Sequence, residues 1–85
     1  MEIRMKSGDN QDGWLNRVLE AGCKASWRPV AFGRTEWLIQ KDGEAIRVLQ
    51  GKNTGLTTKI ENPTEKQREI AAALAAAEIA VVSGV

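Results

Sequence analysis

The stretch Thr35-Glu36-Trp37-Leu38-Ile39-Gln40-Lys41-Asp42-Gly43-Glu44-Ala45-Ile46-Arg47-Val48-Leu49-Gln50 decides the fold class. Asp-Gly stands between two apolar runs. A two-residue type I′ turn needs positive φ at both central positions, which Asp and Gly tolerate. With Asp42-Gly43 as the loop, Lys41 faces Glu44, Ile39 faces Ile46, Trp37 faces Val48 and Thr35 faces Gln50. The apolar residues then coincide on one face, and the pair beside the turn has opposite charge. Turn chemistry and side-chain pattern agree on one register.

Toward the N-terminus, a third strand is predicted over about Lys24 to Phe32, joined through Gly33-Arg34. That register puts Phe32 and Val30 on the Trp37 face. Pro29 has no N–H to donate, which makes this an edge strand. The opposite face carries Trp27, Ala31, Glu36, Leu38, Arg47 and Leu49, with Arg34 in the turn above it. Further back, Trp14, Leu15, Val18, Leu19 and Ala21 recur at helical spacing. They predict a helix over residues 11–21, capped by Asp9 or Asp12 and ended by Gly22. Ile3 and Met5 alternate with charges, so residues 2–6 read as a short strand.

Toward the C-terminus, Gly51 to Gly55 is a link and Leu56 to Ile60 a further short strand. Asn62-Pro63-Thr64-Glu65 then announces a helix, with Asn62 as N-cap, Pro63 in the first position and Glu65 reaching back. The apolar stripe Ile70, Ala73, Leu74, Ala77 and Val81 carries that helix to about Val82, where Ser83-Gly84 stops it. The expected fold is therefore α+β, one small globular domain over residues 1–85. An antiparallel meander of three or four strands has two helices packed on one face, in the order β-α-β-β-β-α. Its expected core is Trp14, Phe32, Trp37, Ile39, Ile46, Leu74 and Val81.

Composition narrows the function. The chain has 85 residues, 42% hydrophobic and 27% charged, the balance of a globular domain. It has no His, no Tyr and one Cys. No Ser-His or Cys-His pair exists, so the usual activated nucleophiles are missing and the expectation is a non-enzyme. One Cys without His makes no zinc site. Asp9-Asn10-Gln11-Asp12-Gly13 lacks the ligand spacing and closing Glu of a calcium loop. Gly51-Lys52 lacks the first Gly of a phosphate loop, and Asn53 follows where Ser or Thr belongs. No cofactor and no metal are expected. The longest apolar run, Ile70 to Val82, is thirteen residues broken by Glu78, against about 20 for a membrane span. No membrane partner is expected. A lone thiol and an N-terminus without a secretory pattern point to the cytoplasm. The small size suits an accessory protein of a bacterium or its phage.

The formal net charge is +1, but its layout is uneven. Residues 24–59 hold seven basic and three acidic side chains, +4; the flanks hold five basic and eight acidic, −3. Trp27, Leu38 and Leu49 on the outer sheet face would form an apolar patch of the kind monomers seldom leave bare. With Arg47 and Arg34 they make a candidate docking surface for another protein or a second copy, since Trp and Arg are enriched in hot spots. The competing reading is a solvated face, or one covered by residues 2–6 or 56–60.

Nucleic acid is the alternative partner, through Arg28, Lys52, Lys66 and Arg68 on the basic β region and the last helix. The order helix, three strands, helix over residues 11–82 resembles that of double-stranded RNA-binding domains, in element order alone. That resemblance implies a basic cluster at the start of the last helix. Lys66 and Arg68 stand there, with Glu65 and Glu69 beside them. The family's loop between its first two strands is replaced here by a tight turn, and residues 51–62 are an insertion.

Overall fold

The computed structural model describes residues 1–6, 11–51 and 56–84. It is an α+β fold of two three-stranded antiparallel sheets and two helices. The chain runs β1 (Glu2–Met5), α1 (Gln11–Glu20), β2 (Lys24–Val30), β3 (Arg34–Lys41), β4 (Glu44–Gln50), β5 (Thr57–Lys59), α2 (Glu65–Ala76) and β6 (Ala80–Ser83). The hairpin sheet has the order β2-β3-β4 and the terminal sheet the order β5-β1-β6.

The β3–β4 hairpin has the register that its turn residues dictate. Lys41 pairs with Glu44, Ile39 with Ile46, Trp37 with Val48 and Thr35 with Gln50. Asp42 and Gly43 have φ of 51° and 81°, both positive as type I′ requires. Trp37, Ile39, Ile46 and Val48 are buried, while Leu38 and Leu49 on the other face are half-buried. Trp37, Ile39, Ile46 and Val48 join one core with Trp14 and Val18 of α1, Ile70, Ala71 and Leu74 of α2, and Ile3 and Met5 of β1. A buried amide ties the two sheets together. Trp37 Nε1 donates to Gln50 Oε1 at 3.0 Å, and Gln50 Nε2 donates to the Lys6 carbonyl at 3.1 Å. Without the first of those bonds the buried indole N–H would lack a partner away from water.

α1 spans its predicted range and ends at Gly22, whose φ is +87°. The Gly22 N–H donates to Leu19 O and the Cys23 N–H to Val18 O, which is a Schellman closure. Asp12 lies inside the first turn rather than capping it, and Asp9 falls outside the described residues.

Four expectations need correction. First, β2 pairs three residues out of the expected register: Trp27 faces Trp37 and Val30 faces Arg34. A three-residue turn, Ala31–Gly33, replaces the two-residue one, and an odd shift exchanges the faces of the strand. Trp27 therefore lies on the inner face, its ring 6.5 Å from that of Trp37. Phe32 leaves the core altogether. Second, α2 stops at Ala76, not near Val82, and the chain turns back as β6 along β1, pairing Glu2 with Ser83 and Met5 with Ala80. Val81 becomes an exposed strand residue. Third, the cap of α2 is Thr64, not Asn62. Thr64 Oγ1 accepts from Gln67 N at 3.1 Å, and Gln67 Oε1 accepts from Thr64 N at 2.9 Å. Pro63 and Glu65 do not have their expected roles, and Asn62 takes a φ of 48° as part of the approach. Fourth, β5 pairs with β1 instead of extending the meander. The order β5, α2, β6 after the hairpin departs from the element order of a double-stranded RNA-binding domain. No described helix is long and apolar enough to cross a membrane.

Candidate functional site

The outer face of the hairpin sheet carries Ser26, Arg28, Glu36, Leu38, Arg47 and Leu49, which follows from the observed pairings. Glu36 is its electrostatic centre. One carboxylate oxygen, Oε1, takes Arg28 at 3.0 Å and Arg47 at 3.2 Å. Both guanidinium groups remain about two-thirds exposed, so these pairs contribute at most about 1 kcal/mol each. Their consequence is positional. Two planar cations are held on the outer face, with one negative charge between them. A shallow depression beside them is lined by Ser26, Trp27, Arg28, Glu36, Leu38 and Arg47.

At the β4 side this face meets the terminal sheet. The Leu49 N–H donates to Thr58 Oγ1 at 3.0 Å, and Gln67 Nε2 of α2 donates to the Ala45 carbonyl at 3.2 Å. The β4 edge is thus partly closed by the protein's own side chains. The β2 edge is different. In a hairpin closed at Lys41–Glu44, alternate residues of β3 bond to β4, and the intervening ones bond to β2. Ala25, Trp27 and Pro29 then point their backbone groups outward. Pro29 stands where its missing N–H removes a donor from that open edge, which limits strand addition there.

The end of the sheet where β2 turns into β3 shows the most unusual side chain of the chain. Phe32 is 93% exposed and has φ +64°, ψ 31°. A bulky residue in the left-handed region carries roughly 1–2 kcal/mol of strain. Arg34 braces it: its Nε donates to the Ala31 carbonyl at 3.1 Å, and its guanidinium lies 5.5 Å from the Phe32 ring centre. That cation–π contact returns roughly 0.5–1 kcal/mol at an exposed position.

The expected docking residues thus separate. Leu38, Leu49 and Arg47 share the outer face, and Arg34 stands at its turn end. Trp27 is on the inner face at the sheet edge, its ring against Trp37 and 39% exposed, and it meets Leu38 and Arg47 as part of the wall of the shallow depression. The expected nucleic-acid contacts separate as well. Arg28 is on the outer face. Lys66 Nζ donates to the Asp42 carbonyl at 3.0 Å, which places α2's basic start beside the β3–β4 turn. That turn and the Phe32 turn lie at opposite ends of β3, some 23 Å apart at about 3.3 Å per residue. Arg68 is exposed on the same helix, and Lys52 falls outside the described residues. Phe32 was not legible as a surface residue, because nothing in Ala31-Phe32-Gly33 opposes an inward aromatic. Only the Trp27–Trp37 pairing pushes it out.

Cys23 is buried at the end of α1, and burial pushes its thiol up; Lys41 pulls it down and Asp42 raises it further. Among the described residues no three His, Cys, Asp or Glu side chains gather as a metal site would need. Together these features define a small α+β domain with two antiparallel sheets and one basic, aromatic-tipped sheet end. No protein-family model, curated protein or solved structure matches the chain.

Proposed function

We propose that the chain is a non-catalytic binding domain that grips a macromolecular partner with the Phe32 end of its hairpin sheet. The observation that carries this is Phe32 itself. The strained turn follows from the register of β2, but the ring itself is 93% exposed, and among the described residues it is braced by the Arg34 guanidinium. Aromatic and arginine side chains dominate the energetics of binding surfaces. Arg34, then Arg28, Arg47, Leu38 and Leu49, continue the surface from the tip onto the outer face.

A photo-reactive phenylalanine analogue at position 32, irradiated in the cells the protein comes from, tests the reading. The expected result is a discrete macromolecular adduct from position 32 and none from the same analogue at Val81, which is exposed on β6. Equal adduct patterns from the two positions would remove the tip as a contact surface.

A further inference from the structure

Resting on that reading, we infer that the occupant of the tip is single-stranded nucleic acid, with one base stacked on the free face of Phe32 and its phosphates met by Arg34, Arg28 and Arg47. Charge argues first. Among its described residues this end of the sheet carries the guanidinium groups of Arg28, Arg34 and Arg47 and the carboxylate of Glu36, a net +2, which favours an anionic ligand. Shape argues second. Phe32 projects from a turn and its ring is 93% exposed, so it offers a flat face. One face is backed by the Arg34 guanidinium, which leaves the other for a planar group. An aromatic ring beside arginines is the stacking platform that single strands use, because every base has a π-face and a phosphate next to it.

The competing occupants fit less well. An extended acidic peptide would add to the open β2 edge, but Pro29 removes a donor just before the tip. A lipid surface needs several apolar side chains at one level. Among the described residues, its chain neighbours are the small Ala31 and Gly33 and the half-buried Val30. Duplex nucleic acid hides its base faces, so it would meet the arginines but not the ring.

The test is fluorescence anisotropy with labelled mixed-sequence DNA and RNA strands of about 12 nucleotides, within the footprint of small single-strand binders. The matching duplex and polyglutamate serve as comparators. Neutralising about two phosphates predicts a slope near −1.4 in log K against log salt, or roughly sevenfold weaker binding between 50 and 200 mM. Phe32→Leu keeps size and apolarity but loses the π-face, and should weaken binding roughly five- to 150-fold. Arg34→Glu should weaken it and flatten the salt slope. Arg68→Glu, on the distant helix, should change nothing. Thermal unfolding of each variant shows that it is folded. Single strands that bind no better than duplex, or that bind Phe32→Leu as well as the parent, overturn the inference. If polyglutamate then binds in a Phe32-dependent way, or the position-32 adduct persists, the tip remains the contact surface and its occupant is a protein. If neither holds, the proposed function falls as well.

Discussion

The two helices end in the same way, with different residues. α1 closes through Gly22 N–H to Leu19 O and Cys23 N–H to Val18 O. α2 closes through Glu78 N–H to Ala75 O and Ile79 N–H to Leu74 O. Both are Schellman motifs, and both need one residue in the left-handed region. Gly22 takes it with φ +87°, Glu78 with φ +59°. Glycine has no Cβ to clash there; glutamate does. The first helix stops where its own residues prefer to stop. The second stops where the fold requires, because Ala80 to Ser83 must reach β1 and Ile79 must reach the core. The same contrast recurs at the hairpin sheet's two turns. Asp42-Gly43 suits its positive φ, and Phe32-Gly33 puts a phenylalanine into it.

If tertiary contacts impose the end of α2, removing the anchor should have the largest effect. Ile79 is fully buried directly after the left-handed residue, and Ile79→Ala should destabilise by roughly 2–5 kcal/mol in a denaturant titration. A loss under 1 kcal/mol would mean that the helix stops for local reasons. Next, Gly22→Ala should cost about 1 kcal/mol. A Cβ at that position meets nothing within 4 Å, so the effect would be conformational and not steric. Glu78→Gly should have the opposite sign and stabilise by up to about 1 kcal/mol, since it relieves the strain at an exposed position. If Gly22→Ala and Glu78→Gly moved the unfolding midpoint in the same direction, the contrast between the two ends would collapse.

The smallest effect concerns Cys23, the counterpart of Ile79 after α1. Its thiol is raised by burial in the folded state. The neutral form is therefore the stabilised one. That stability is fully present below the ordinary thiol value, and is lost as pH rises through the folded value. The melting temperature should fall in the alkaline range, and Cys23→Ala should flatten that part of the profile. An unchanged alkaline slope in Cys23→Ala would assign it to other groups.

Much of the fold was legible where neighbours in sequence agree. Residues 35–50 carry their turn, their charges and their apolar alternation together, so one register satisfies all three. The periodicity of Trp14 and Val18 with Gly22 behind them works in the same way. The candidate site was legible only in part. Leu38, Arg47 and Leu49 share a face because the hairpin register puts them there. Trp27 and Phe32 exchanged places because a three-residue turn shifts β2 by an odd number.

The sequence by itself determined the α+β class, the β3–β4 register, the extent of α1 and the identity of β1. Each of these rests on preferences that act within a few residues. Only the tertiary structure decided the register of β2, the end of α2, the strand β6 and the exposure of Phe32. There the gain comes from partners distant along the chain, such as Trp27 on Trp37 and Ala80 on Met5. Packing Trp27 on the buried Trp37, or burying a strand face, outweighs the roughly 1–2 kcal/mol that a single left-handed Glu or Phe costs.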